Sequence, residues 1–454
     1  MIIRTTDNNC GKLIPELGKG KIEHLDFIAN KKLCDINLED NPNLLIFPKD
    51  WQLGVDDDDE LFKLNSDGKL TTGNIMGFIG YKETSLAISS RFYPNGNDFF
   101  LHYMLSKVFG INVVNLNFSK GEESVHDFLP YLFPSYLQNA LSQGLYKQYK
   151  RNQYNDANVK GAIDINRHIR INIPFAGKIA YTTREHSYDN SVTQLIRHTI
   201  EHLRTRDFGH SILTNKAETR ANISQIEYAT PTYKKNDLQR IIKANLKLVN
   251  HPYYTKYKDL QKLCLQILRR EKTNFGAKDE IHGLLFDGAW LWEEYINTLI
   301  GKDFWHPNNK KRIYPQRLFN NLDENKKKGL IYPDFISKDA SNRIIADAKY
   351  KPKENIRSDD YLQLLAYMFR FDSKHGYYIY PQEDELKIQN EKNLELLQDV
   401  TIKDNNEKSK EREHKIIVSK YGLTIPQNLN GFKEFEEKIR KGEDALKKIF
   451  KTSN

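Results

Sequence analysis

Apolar positions along the chain change rhythm twice. Up to about residue 125 they come in short runs divided by turn residues. Phe78-Ile79-Gly80-Tyr81 and Leu86-Ala87-Ile88-Ser89-Ser90-Arg91-Phe92 flank the polar Lys82-Glu83-Thr84-Ser85, which predicts a hairpin in a β-rich domain. From Asp98 to Phe109 a helical period brings Phe99, Tyr103 and Leu105 together, and Gly110 stops it. The period of 3.6 then dominates. Ser191 to Arg204 repeats Val192, Leu195, Ile196, Thr199, Ile200 and Leu203 behind the capping oxygens of Asp189, Asn190 and Ser191. Phe128 to Tyr149 predicts another helix, with Pro130 and Pro134 confining its regular part to residues after Ser135. Leu238–Leu248 and Leu260–Arg270 complete a helical region broken by an extended link at Val159–Asn166.

After Gly276 helix and strand patterns alternate. A helix is predicted over Leu284–Ile300, with Leu291, Tyr295 and Leu299 as its buried stripe. A strand over Leu330–Ile336, a turn at Lys338–Asn342 and a strand over Arg343–Tyr350 read as a hairpin. A helix over Asp360–Phe371, a strand at Tyr377–Tyr380 and a closing amphipathic helix at Phe432–Phe450 follow. The fold class is α+β and multidomain. Residues 1–125 form a β-rich domain, 126–275 a helical central region, and 276–454 a domain of alternating helices and strands.

Composition narrows the function. The 454 residues are 39% hydrophobic and 28% charged, a balance that supports folded cores rather than disorder. No apolar run approaches the roughly 18 residues of a membrane span, and Met1–Thr5 lacks the layout of a secretory signal, so a cytoplasmic protein is expected. Cys10, Cys34 and Cys264 lie too far apart in sequence for a disulfide framework or a Cys-rich zinc site. The net charge of +9 is compatible with a polyanionic partner. No Gly-rich phosphate loop and no Ser-nucleophile elbow occurs. His198 and His202 lie four apart on one helix, near His186, but without the acidic partner of a zinc helix they read as structural. Asp56 to Glu60 reads as a solvated loop.

One constellation carries chemistry. Asp334, in Tyr332-Pro333-Asp334-Phe335, precedes Asp347-Ala348-Lys349 by thirteen positions. Period-2 alternation puts Ile344, Ala346 and Ala348 on one face of the second strand and Asp347 and Lys349 on the other, and the hairpin returns Asp334 toward Asp347. Two carboxylates suit Mg²⁺, with Mn²⁺ as a substitute, and a second ion is compatible with the set. The metal would polarise a phosphate oxygen and acidify a bound water, while the lysine orients that water or offsets developing charge. Upstream, Glu293 and Glu294 sit beside an apolar helical stripe. Downstream, Gln363 and Tyr367 lie four apart on one helix face.

The order helix(Glu293), strand(Pro333-Asp334), strand(Asp347-x-Lys349), helix(Gln363-x-x-x-Tyr367), strand resembles the PD-(D/E)xK nuclease core, an α/β fold with a mixed central sheet. That resemblance makes Glu293, Asp334 and Asp347 metal-associated, Lys349 catalytic, and Gln363 and Tyr367 supporting. It leaves Glu294 as a competitor to Glu293. Leu284-Leu285-Phe286-Asp287 with Leu291-Trp292-Glu293-Glu294-Tyr295, and further upstream Gly161-Ala162-Ile163-Asp164 with Arg184-Glu185-His186-Ser187-Tyr188-Asp189-Asn190, are similar to signatures of the McrC family. Trp292 replaces that family's phenylalanine.

The resemblance implies a Mg²⁺-dependent DNA endonuclease subunit of a phage-defence restriction system. Its partner would be an oligomeric McrB-like AAA+ GTPase that docks the N-terminal region, with GTP entering only through that partner. Dimerisation through the nuclease domain or the partner rings is compatible with it. The rivals are a non-catalytic assembly factor and a stand-alone repair nuclease of the same fold. Basic residues Lys302, Lys310, Lys311, Arg312 and Arg317, interleaved with Phe304, Trp305, Tyr314 and Phe319 and followed by Lys326-Lys327-Lys328, are candidate contacts to double-stranded DNA. Arg91 reads as a solvated arginine at a strand end.

Overall fold

The computed structural model describes residues 2–13, 23–32, 35–36, 44–48, 61–65, 68–82, 84–94, 98–109, 122–206, 209–214, 216–269, 281–307, 314–323, 325–383, 393–397, 400–402, 405–407 and 415–451. It is a mixed α+β protein in two compact units. Residues 1–125 and 275–454 make one, and 126–274 the other. The first and last segments, expected as separate domains, thus pack as one unit.

A single strand explains that union. The apolar run at Leu284-Leu285-Phe286 is a strand, Ile281–Asp287, and not the start of a helix. It pairs antiparallel with Ile75–Tyr81 and parallel with Leu44–Phe47, inside a five-stranded sheet otherwise built from the N-terminal segment. Leu284, Leu285 and Phe286 are fully buried. A continuous apolar run of that length fits a strand covered on both faces as well as a helix turn, so periodicity alone does not separate the two. Asp287 then starts the helix Gly288–Ile300, accepting from Ala289 N at 2.9 Å and Trp290 N at 3.2 Å. A Cβ at Gly288 would lie 2.9 Å from the Tyr350 ring. The helix buries Leu291, Trp292, Tyr295, Ile296 and Ile300, while Leu299 is only half-buried.

The predicted hairpin is present as Ile75–Tyr81 against Thr84–Ser89, and the helix Phe99–Phe109 follows it. The closing helix Phe432–Lys451 is joined to it through Glu443. That buried carboxylate accepts from Tyr103 and Tyr295 hydroxyls, each at 2.8 Å, and tethers three helices.

A six-stranded mixed sheet holds the chemistry-bearing residues. Its order is Phe304–Trp305, Phe335–Ser337, Ile344–Ala348, His375–Gln382, Ile417–Thr424, Asn393–Glu395. Phe335–Ser337 runs antiparallel to Ile344–Ala348, which runs parallel to His375–Gln382 with the helix Ser358–Arg370 between them in sequence. The strand expected over Leu330–Ile336 is broken. Lys326–Ile331 pairs with Gln316–Asn321 in a separate two-stranded ribbon, and pairing with the main sheet resumes only at Phe335. Pro333, lacking an N–H, sits in the break. Ile344, Ile345, Ala346 and Asp347 are all buried, so this strand is covered on both faces.

The second unit is mostly helical, as expected, but it also holds a sheet. Gln148–Asp156 and Ile179–Ser187 form a long antiparallel pair extended by Ala162–Ile163. Largely exposed polar residues on Gln148–Asp156 gave no alternation to read. The helix expected to reach Tyr149 spans Glu122–Leu141 and passes through Pro130 and Pro134. Four residues apart, the two prolines put their missing hydrogen bonds on one helix face. Ser191–Arg204 is helical as predicted, with a capping box between Asn190 and Thr193. Asp56–Glu60, Gly110 and Gly276 lie outside the described residues.

Candidate active site

Asp334 stands in the loop just before Phe335–Ser337, where its Oδ2 accepts from Ala348 N at 2.8 Å. This bond pins the loop carboxylate to the backbone between Asp347 and Lys349. Just past the end of the central strand, Lys349 N donates to the Ile379 carbonyl at 2.9 Å. Trp292 Nε1 donates to the same carbonyl at 3.1 Å. One oxygen therefore fixes both the helix that carries Glu293 and the backbone that carries Lys349. A phenylalanine at 292 could not make that bond.

Lys349 Nζ lies 2.7 Å from Asp347 Oδ2, 3.7 Å from Asp360 Oδ1, and donates to Gln363 Oε1 at 3.3 Å. Gln363 Nε2 in turn donates to the Tyr367 hydroxyl at 3.1 Å. The helical pair thus orients the lysine rather than reaching the carboxylates. Lys351 Nζ occupies Asp360 from the other side at 2.6 Å.

Glu293 is partly buried, its side chain 28% exposed, and faces His306 Nε2 at 3.6 Å. No sequence signal marks His306. Its Nδ1 lies 2.8 Å from the Asp334 carbonyl oxygen, which can only accept, so the proton sits on Nδ1. Its Nε2 is buried without a hydrogen-bond partner. The ring stacks on Phe335 at 5.0 Å. A histidine at the end of an edge strand, between Trp305 and Pro307, offers no periodicity; only folding brings it to the carboxylates.

Electrostatics perturb these acids, as burial does Asp7 and Asp98. Burial, then the Asp347 charge, pushes Asp334 up to about 8 against the pull of Lys349. Burial raises Asp347 against the same lysine. Glu293 is raised well above the carboxylate range by burial, then by Asp334, Glu294 and Asp347. Burial works against the Lys349 ammonium, but Asp347 and Asp334 outweigh it and hold it above its usual value. Asp334 and Asp347 thus crowd one ammonium in a poorly hydrated place, with Glu293 repelled by both acids, an arrangement typical of functional sites. Among the described residues, no three His, Cys, Asp or Glu side chains enclose a point as a metal cage would. The donor chemistry nonetheless fits a hard divalent cation, with oxygen ligands, excess negative charge and an orphaned buried nitrogen beside them.

Other expectations resolve differently. Lys310, Lys311 and Arg312 lie outside the described residues. Arg317 is on the ribbon, and its carbonyl accepts from Arg370 Nε at 2.6 Å. Phe304 is core, whereas Trp305, Tyr314 and Phe319 are exposed. His198 is buried against Tyr233. Arg91 is not solvated. Its guanidinium lies 3.6 Å from the buried Asp7 carboxylate, donates to Asn74 Oδ1 at 3.1 Å, and bonds the Tyr350 carbonyl, one residue beyond Lys349.

A family model described as McrBC 5-methylcytosine restriction system component matches residues 70–381. No curated protein matches the sequence. Among solved structures, the chain is similar to a refined half-complex from a tetradecameric assembly of Thermococcus gammatolerans McrB AAA+ hexamers with bound McrC. The identity is 14% and the TM-score 0.45, over 97% of this chain and all of that one. A cryo-EM McrBC complex from the same organism matches at 13% identity and a TM-score of 0.32, over 66% of this chain and 88% of that one.

Proposed function

The chain belongs to the family of McrBC 5-methylcytosine restriction system components, and on that premise we propose that it is a McrC-type endonuclease subunit that hydrolyses DNA phosphodiester bonds with Mg²⁺. One observation carries this reading. The hairpin and the parallel strand bring Asp334, Asp347 and Lys349 together, with the ammonium 2.7 Å from one carboxylate and the other carboxylate bonded to the backbone between them. The helix bearing Glu293, the hairpin, the helix bearing Gln363 and the following parallel strand support a PD-(D/E)xK core.

Asp334, Asp347 and Glu293 would hold the ion, for which Mn²⁺ could substitute. A bound divalent cation supplies a polarised phosphate oxygen and a more acidic water. The protein's own groups do the rest. Lys349 stays charged, held by Asp347 and Asp360 and steadied by Gln363, and it can donate to a phosphate oxygen or orient the attacking water. His306 donates from Nδ1 to the Asp334 carbonyl and stands 3.6 Å from Glu293, between the two acidic elements.

The partner in this reading is a McrB-like AAA+ GTPase oligomer, which brings GTP, and the substrate is double-stranded DNA in the cytoplasm during phage defence. The second unit exposes Ile163, Ile165, Ile169, Ile173 and Phe175, each more than half exposed, an apolar surface suited to such a partner. Among the described residues no helix is long and apolar enough to cross a membrane.

The test is cleavage of plasmid DNA by the chain with its co-expressed AAA+ partner, GTP and Mg²⁺. Wild type should cut, chelation should stop it, and an Asp334→Ala, Asp347→Ala double variant should bind the partner without cutting. Equal cutting by that variant would remove the assigned site. Calorimetric Mg²⁺ binding that survives both substitutions would remove the assigned ligands.

A further inference from the structure

The ribbon of Gln316–Asn321 and Lys326–Ile331 pairs with no further strand among the described residues. Lys326 to Leu330 are all exposed. Cross-strand partners share a face. Arg317↔Leu330, Phe319↔Lys328 and Asn321↔Lys326 therefore put Arg317, Lys326 and Lys328 on one face, around an exposed Phe319. Asn320↔Lys327 puts the third lysine on the other face.

A lone two-stranded hairpin is marginal in water, yet this one is held at its root. Arg370 Nε, from the helix Ser358–Arg370, donates to the Arg317 carbonyl. Ile331 packs on the apolar cluster that includes Ile336, Ile345 and Tyr367. Two residues, Tyr332 and Pro333, then separate the ribbon from Asp334. The element is anchored at the candidate site and open to solvent beyond it.

We propose that this ribbon enters a groove of double-stranded DNA and seats the duplex on Asp334, Asp347 and Lys349; the proposal rests on the nuclease reading above. The dimensions agree. Two strands about 5 Å apart and about 20 Å long form a blade, and the major groove, about 12 Å wide, admits a two-stranded ribbon. The charge distribution agrees as well. A blade lying flat on a backbone would need cations on one face, whereas a blade inside a groove meets phosphate-lined walls on both. Lys326 and Lys328 face one wall, and Lys327 the other. Phe319 packs against sugars or bases.

The experiment is fluorescence anisotropy of the full chain with a labelled duplex of about 30 base pairs, without divalent cation, across about 20–200 mM salt. The Lys326→Gln, Lys327→Gln, Lys328→Gln variant should bind the duplex at least about tenfold more weakly at low salt. Its slope of log affinity against log salt should fall by about 0.9 for each phosphate that is no longer neutralised, about 2–3 in all. A single strand of equal length should show a much smaller change. Wild-type slope and affinity in the triple variant would overturn the ribbon while leaving the nuclease reading in place. An equal loss on single and double strands would overturn the groove. A wild-type chain that binds no duplex would overturn both.

Discussion

The ribbon Gln316–Asn321/Lys326–Ile331 and the hairpin Phe335–Ser337/Ile344–Ala348 are both antiparallel pairs, and residues 332–334 join them. Their charges live in opposite surroundings. On the ribbon Lys326, Lys327 and Lys328 are exposed. On the hairpin Asp347 is 3% exposed and its strand is covered on both faces. A solvated charge costs the fold little and stays available to a long-range partner. A buried one is expensive unless matched, and its state answers to whatever sits beside it. The first arrangement suits attraction of a polyanion, the second suits chemistry at one phosphate. Substitutions should rank accordingly, from the buried charges down to the solvated ones.

The largest effect should come from Lys349. Lys349→Ala removes the ammonium from between two raised carboxylates. Cleavage should fall by about 10²–10³ or more, the usual cost of one preorganised electrostatic interaction. Because its partner Asp347 is buried, the variant should also lose about 1–3 kcal/mol of stability, more than the roughly 0.5 kcal/mol of a surface lysine. Paired cleavage assays and thermal melts check both numbers. Wild-type cutting would show that the buried charges are structural only.

Arg91 comes next. Arg91→Ala leaves Asp7, whose side chain is fully buried, without its cation, and frees the Tyr350 carbonyl beside Lys349. Burial already pushes Asp7 up to about 6 against Arg91. Breaking such a pair costs about 3 kcal/mol, readable as a shift in denaturation midpoint. Arg91→Lys should recover part of it. A variant as stable as wild type would show that the first segment does not brace the end of the central strand.

These two sites also show how much could be read in advance. The hairpin, the order of the elements and the Asp334, Asp347, Lys349 set were legible because each rests on local alternation and spacing. The strand Ile281–Asp287 was not, since its neighbours Ile75–Tyr81 and Leu44–Phe47 lie more than 190 positions away in sequence. For the same reason a chain cut near Gly276 would lose both neighbours of that strand and could not test the last segment alone. Arg91 was misjudged, and the parts played by Trp292 and His306 went unread, because each rests on single contacts to distant carbonyls or carboxylates. The alternation of Ile344–Ala348 brings Asp347 and Lys349 together as read, but the cover on both faces of that strand comes from elements that spacing alone does not place.

A pH series separates the two elements further. Folding lifts Asp334 from about 3.9, the ordinary unfolded value, to about 8. Between those values the folded chain keeps a proton that the unfolded chain has lost. Its contribution to stability is therefore complete below about pH 4 and disappears as pH rises through 8. Metal-free protein should melt progressively lower from pH 5 to 9. Mg²⁺ should raise the melting temperature more at pH 8 than at pH 5, since the ion needs the deprotonated carboxylates. Asp334→Ala should flatten both trends. A Mg²⁺ response independent of pH would separate the raised carboxylates from metal binding.

The smallest effect belongs to the ribbon, and its smallness is the informative part. Lys327→Gln changes a charge on an exposed face, opposite Asn320, in an element rooted by Arg370 and Ile331 rather than by its lysines. Substitution there should move stability by less than about 0.5 kcal/mol and leave the pH profile of melting unchanged, because the titrating carboxylates lie off the ribbon. Thermal melts at two pH values decide it. If Lys327→Gln lowered stability by as much as Arg91→Ala, the lysine would be holding the fold together, and the division between a hairpin built for chemistry and a ribbon built for attraction would not stand. If only the salt dependence of duplex binding moved, charge would be working at long range on the ribbon and at close range on the hairpin.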